Sequence, residues 1–121
     1  MRVNAVLGPI LLVGLLGQLL LGFSIRGSSL LSNVHAILGI GGFAVVLIFG
    51  FIVVKSGIAT TISKVLLGVL ILTVGAQTYL GLTLFLGDDL LRLSHQFTGI
   101  VTLIIGVGLG VVTGRSMGRA R

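Results

Sequence analysis

The sequence predicts an all-α protein: an integral membrane four-helix bundle, up-down-up-down, built from two repeated helical hairpins. Three observations carry that expectation. Of 121 residues, 55% are hydrophobic and only 8% charged, and the mean hydropathy is +1.28. A soluble chain this short could not hide so much apolar surface from water. The apolar residues fall into four long runs, and a membrane span needs about 20 of them. The breaks between runs are short, which makes consecutive spans antiparallel neighbours. Open sheet edges cannot face lipid, and the runs are too continuous for barrel strands.

Span one is expected from Ala5 to Phe23, with Pro9 in its first turns, where a missing donor does little harm. Arg2 followed by an apolar run has the look of a signal peptide. The run is long for one, however, and no small-residue cleavage motif follows it. Ser24–Ser29 leads into span two, Leu30 to Val54, and Lys55–Gly57 into span three, Ile58 to Leu86. Gly87–Asp89 leads into span four, Leu90 to Thr113. The chain is one domain, residues 1–121, with halves of about 1–57 and 58–121.

The formal net charge is +6, yet the basic residues sit at the ends of apolar runs and form no stripe with aromatic interleaving. Nucleic acid is therefore excluded as a partner, and the charges are expected to orient the chain in a lipid bilayer. Arg2, Lys55, Lys64, Arg115, Arg119 and Arg121 fall on one side, and Arg26 and Arg92 with Asp88 and Asp89 on the other. The excess of basic residues predicts a multi-pass cell-membrane protein with both termini cytoplasmic. The absence of cysteine excludes disulfides, thiolate metal sites, iron–sulfur clusters and covalently attached haem. Twenty glycines suit close helix approach in a membrane. Gly106, Gly110, Gly114 and Gly118 mark one face, which serves equally well for packing within the bundle or for a homodimer seam.

The chain repeats a hairpin. The first copy reads Gln18-x3-Gly22, then Gly27-Ser28-Ser29-Leu30-Leu31, then His35-x3-Gly39. The second reads Gln77-x3-Gly81, then Gly87-Asp88-Asp89-Leu90-Leu91, then His95-x3-Gly99. His35 and His95, the only two histidines, each lie about five residues inside a helix start. At about 1.5 Å per residue that is roughly 7–8 Å of depth, the same in both copies. Spans two and four run the same way, so a pseudo-twofold axis would aim both rings at the bundle centre. Two inward imidazoles at one level form a bis-His axial site for haem iron.

The neighbouring residues suit that cofactor. Gly39 and Gly99 lie one turn below the histidines on the same face, where a side chain would collide with a macrocycle. Gln18 and Gln77 are in the outer halves of spans one and three, as candidates to line the haem edges or hydrogen-bond each other, or to serve simply as interhelical contacts. Arg26 and Arg92 are candidates for the haem propionates, because Arg matches a carboxylate with a planar fork; topology and interface anchoring are their other reading.

On these residues, His35-x3-Gly39 and His95-x3-Gly99 on parallel spans of a duplicated hairpin, the chain resembles small membrane b-type cytochromes. It looks like the four-helix repeat unit of haem A synthase and, more loosely, the ascorbate-dependent transmembrane cytochromes. The resemblance implies that His35 and His95 ligate one haem b. Haem A synthase sets a glutamate shortly before its histidine and an arginine beside it. Leu30 to Ala36 here has neither, and the two acidic residues of the chain are both Asp.

The expected function is therefore electron transfer by one haem b near the outer leaflet, with quinone or a respiratory partner protein exchanging the electrons. Two protein axial ligands leave no open iron position for oxygen activation. One haem near one face does not complete transfer across the membrane, which leaves a homodimer or a larger assembly as the working unit. Other classes remain: an accessory or assembly subunit whose histidines only hold helices together, a haem A synthase-like half protein, and a small transporter. Proton-coupled export usually rests on an intramembrane acid, and the chain has only Asp88 and Asp89, both in a loop.

Overall fold

The computed structural model describes all residues except 1–2, 26, 56, 58–59, 88 and 120–121, with the side chains of 3–7, 89 and 114–119 also outside the description. The described chain is all α. Its helices are α1 (Val3–Ser24), α2 (Ser29–Lys55), α3 (Thr61–Phe85) and α4 (Arg92–Arg119), with a 3-10 turn at Asp89–Leu91 before α4. α1 packs against α2 and α4, and α3 packs against the same two. The diagonal pairs, α1 with α3 and α2 with α4, make no backbone approach among the described residues. The section is a square in chain order, and the short connections make the diagonal helices parallel.

Each connection turns on a glycine with positive φ: Gly27 at 76°, Gly57 at 68° and Gly87 at 105°. An L side chain rarely adopts that conformation, so these three glycines set where each helix stops.

The helix boundaries depart from the apolar runs at three places. α3 begins at Thr61, because Thr60 caps it with a side-chain oxygen that accepts from the Ser63 amide at 3.1 Å. α4 begins at Arg92 after the 3-10 turn, and at its other end continues to Arg119, past the apolar limit at Thr113. Hydropathy marks the stretch suited to lipid, whereas the backbone hydrogen bonds carry a helix onward into polar sequence.

Among the described residues, three helices are long and apolar enough to cross a membrane: Ser29–Lys55, Thr61–Phe85 and Arg92–Thr113. The described apolar part of α1, Gly8–Ser24, is shorter. Mid-helix side chains such as Ile37, 70% exposed, and Leu72, 73% exposed, point away from the bundle. Helices apolar all round, with large outward aliphatics, suit hydrocarbon and not water. Lys55 closes α2 and Lys64 opens α3 at one end, while Arg92 opens α4 at the other. The remaining residues of the orientation argument, Arg2, Arg26, Asp88, Asp89, Arg115, Arg119 and Arg121, lie outside the described side chains.

The bundle divides along its length. The buried apolar core is Leu11, Val46, Phe49, Val53, Leu67, Leu70, Val74 and Leu109. Most of these positions fall toward the end that holds Lys55 and Thr61, with Val74 near the middle of α3. The other half holds His35, His95, Gln18 and Gln77, while the buried Ser63 lies in the core half. In the core half, Gly106 of α4 lies against Leu15 of α1, where a Cβ would stand 2.6 Å from Leu15 Cδ1. A Cβ on Gly110 would stand 3.3 Å from Leu12 Cδ1. The described part of the four-residue glycine repeat is thus taken up inside the bundle; the side-chain surroundings of Gly114 and Gly118 lie outside the described residues.

Gly108, on the same helix, has open space where a Cβ would go. Gly106→Val should force α1 and α4 apart at a cost of about 1–3 kcal/mol, as other overpacked sites do, whereas Gly108→Val should be near neutral. The two share the same change in helix propensity, so the difference in unfolding midpoint in detergent isolates the packing; equal midpoints would show that the α1–α4 contact is loose.

Candidate functional site

His35 lies six residues after Ser29 on α2, and His95 six after Asp89 across the 3-10 turn and α4. The diagonal, parallel helices therefore carry them to one level, and both rings turn to the bundle axis. The two Nε2 atoms are 3.5 Å apart. The ring centroids are 5.8 Å apart, with planes at 87°. Both Nδ1 atoms are buried with no hydrogen-bond partner.

Two imidazoles can approach the axis because α1 and α3 carry no side chain there. A Cβ on Gly22 would stand 3.0 Å from His35 Cε1, and one on Gly81 would stand 3.0 Å from His95 Cε1. The reverse contact uses the other glycines. A Cβ on Gly39 would stand 3.0 Å from Gln18 Nε2, and one on Gly99 would stand 2.9 Å from Gln77 Nε2. Each hairpin is thus a reciprocal interlock. The histidine of one helix lies on the glycine of its neighbour, and the neighbour's glutamine lies on the glycine four residues beyond the histidine. Both pairs repeat because residues four apart share a helix face.

This changes the part played by two sequence-predicted residues. Gly39 and Gly99 are on the histidine face, as expected, but the space beside them holds the glutamine amides. The glycines that border the imidazoles are Gly22 and Gly81, to which the sequence reasoning gave no role. The signal was present: Gln-x3-Gly repeats alongside His-x3-Gly.

The glutamines differ between halves. Gln18 Nε2 donates to the His35 carbonyl oxygen at 2.7 Å, and its Oε1 is buried without a partner. Gln77 Nε2 lies 3.4 Å from His95 Nε2, and Gln77 Oε1 accepts from the Thr98 hydroxyl. The two glutamines each bind their own hairpin and not each other.

An open cleft of about 960 Å³ reaches this layer, and His35, His95, Gln18, Gln77, Gly39 and Arg92 are among its walls. That is within the usual size of ligand sites, roughly 300–1,000 Å³. Gly99 does not line the cleft, and Arg26 lies outside the described residues. Among the described residues no group of three or more His, Cys, Asp or Glu side chains converges. A bare ion would have no protein cage here. The pair offers two nitrogens on one axis, enough for a metal that brings its remaining ligands with it.

The interlock makes a separable claim. Gly22→Val should destabilise the protein by about 1–3 kcal/mol through overpacking. Most of that cost should disappear in a His35→Ala background, because neighbours that share a contact are not additive. A double-mutant cycle of unfolding in detergent measures the coupling, and strict additivity would show that the ring does not rest on Gly22. Comparison of the chain with protein-family models, with curated proteins and with solved structures finds no match, so the function of this layer has to be argued from its own geometry.

Proposed function

We propose that the chain is a membrane b-type cytochrome that holds one haem b between His35 and His95 near the outer leaflet and passes electrons between a quinol or protein partner and an acceptor. The observation that carries this reading is the approach of two Nε2 atoms to 3.5 Å from diagonally opposed helices. A metal–imidazole bond is about 2 Å long, so an iron between them needs the nitrogens roughly 4 Å apart. The pair is about half an ångström short of that, a shift within reach of side-chain rotation.

Three features fit the group. Gly22 and Gly81 leave α1 and α3 bare at the imidazole level, where a flat ring would otherwise meet side chains. The cleft provides volume beside the histidines. Most of the bundle's buried apolar residues lie in the other half, so the imidazole half does not rely on close packing alone. The glue alternative is poorly served. A 3.5 Å nitrogen–nitrogen contact is at the limit of a hydrogen bond. Helices held together only by such a pair would gain little.

A bound haem would supply a one-electron couple. The residues of this chain would hold it: His35 and His95 as its ligands, with Arg92, among the cleft's wall residues, as the candidate propionate partner. Held by two protein nitrogens, the group would supply electron transfer rather than oxygen activation. The basic residues argue that the histidine end faces outward, which puts the exchange of electrons at the outer leaflet.

His35→Ala and His95→Ala should each abolish the low-spin spectrum while the protein still inserts and remains helical. Retention of a full low-spin signal in either variant would remove that histidine as a ligand.

A further inference from the structure

The two halves of the site are not chemical copies of each other, and the difference that bears on the glutamines lies at one position. Three residues after the histidine, the first hairpin has Leu38 and the second has Thr98. Gln18 must point its nitrogen at the His35 carbonyl, because a carbonyl oxygen only accepts. Gln77 also lies over its glycine as Gln18 does: a Cβ on Gly99 would stand 2.9 Å from Gln77 Nε2, and one on Gly39 would stand 3.0 Å from Gln18 Nε2. The Gln77 oxygen faces the Thr98 hydroxyl, which Leu38 cannot offer; the single hydroxyl proton also has the Ser94 and His95 carbonyl oxygens at 2.7 and 3.1 Å, and the contact to Gln77 Oε1, at 2.5 Å, is the shortest of the three. The Gln77 amide therefore turns N–H toward His95 Nε2 at 3.4 Å.

We propose that Gln77 and Thr98 are positioning residues that polarise the imidazole pair, so that in the ligand-free protein His95 Nε2 carries the lone pair and His35 Nε2 carries the proton. An amide N–H needs an acceptor, and a neutral imidazole nitrogen accepts only when its proton is on the other nitrogen. His95 is then protonated at Nδ1. Across the 3.5 Å gap, two lone pairs would repel and two N–H groups would collide. With His95 set as the acceptor, its one lone pair is shared between the Gln77 amide at 3.4 Å and His35 at 3.5 Å, so His35 is a donor and its own Nδ1 is bare. Gln18 does not compete for the His35 ring, since its amide is engaged with the backbone. Neither Nδ1 has a partner that would impose another arrangement.

A consequence follows that rests on the haem reading. His95 Nε2 carries a lone pair engaged only by hydrogen-bond donors and would be the first ligand. His35 must first move its proton from Nε2 to Nδ1, with no change in charge, and is the second.

The test needs no haem, so its failure is separate from any failure of the cytochrome reading. In ligand-free protein labelled with ¹⁵N-histidine in detergent micelles, the tautomers are read from the ring nitrogen shifts and their couplings to the ring protons. His95 should show a bare Nε2 and a protonated Nδ1, and His35 the reverse. Thr98→Val, close in shape, should release the Gln77 amide and turn the His95 signals into a tautomer mixture; Gln77→Leu should do the same. A protonated Nε2 on His95 in the unmodified chain would overturn the proposal, as would unchanged His95 signals in both variants. For the loading order, haemin should bind His35→Ala with one imidazole ligand and bind His95→Ala more weakly, by tenfold or more. Equal binding by the two would overturn the order.

Discussion

Two imidazole rings can meet on the axis of a four-helix bundle only where the flanking helices give up their side chains. That steric exchange organises the polar half of this protein. His35 reaches the axis across Gly22, and His95 across Gly81. The same helix faces return the contact through Gln18 on Gly39 and Gln77 on Gly99. Large and small residues alternate on both sides, so neither histidine can be moved without disturbing a neighbouring helix. The square order of the helices makes the axis accessible to α2 and α4, and the shared depth follows from the repeat.

The other half of the bundle does different work. Its buried aliphatic and aromatic side chains, with Leu70 and Val46 almost fully enclosed, pack as an ordinary core, and Gly106 draws α4 against α1. The open cleft extends down to the core residues Leu11, Val46 and Val74, and the histidine end beside it carries the unsatisfied nitrogens. Such groups are costly where they serve no purpose. The buried Nδ1 atoms and Gln18 Oε1 are all in the histidine half.

Much of this was legible in the residues. Continuous apolar runs with short breaks give four helices, and the duplicated Gln, Gly and His spacing gives a histidine pair at one depth. Helix ends were less legible, because Thr60 caps by a side-chain oxygen and residues 114–119 stay helical without being apolar. Spacing reveals which residues share a face, but not which neighbour that face meets. That is why Gly39 and Gly99 were matched to a cofactor and not to the glutamines. Thr98 was hidden for another reason: a repeat is found through its matches, and the Leu38–Thr98 difference, which makes the halves inequivalent, is a mismatch.

The central claim is that the facing Nε2 atoms exist to hold haem iron. The most direct measurement is the absorption spectrum of the purified chain expressed with adequate haem supply, followed by pyridine haemochrome analysis. The account predicts a red protein with the sharp α and β bands of reduced six-coordinate low-spin haem, and close to one non-covalent haem b per chain. A colourless, folded protein that also fails to take up added haemin would contradict it.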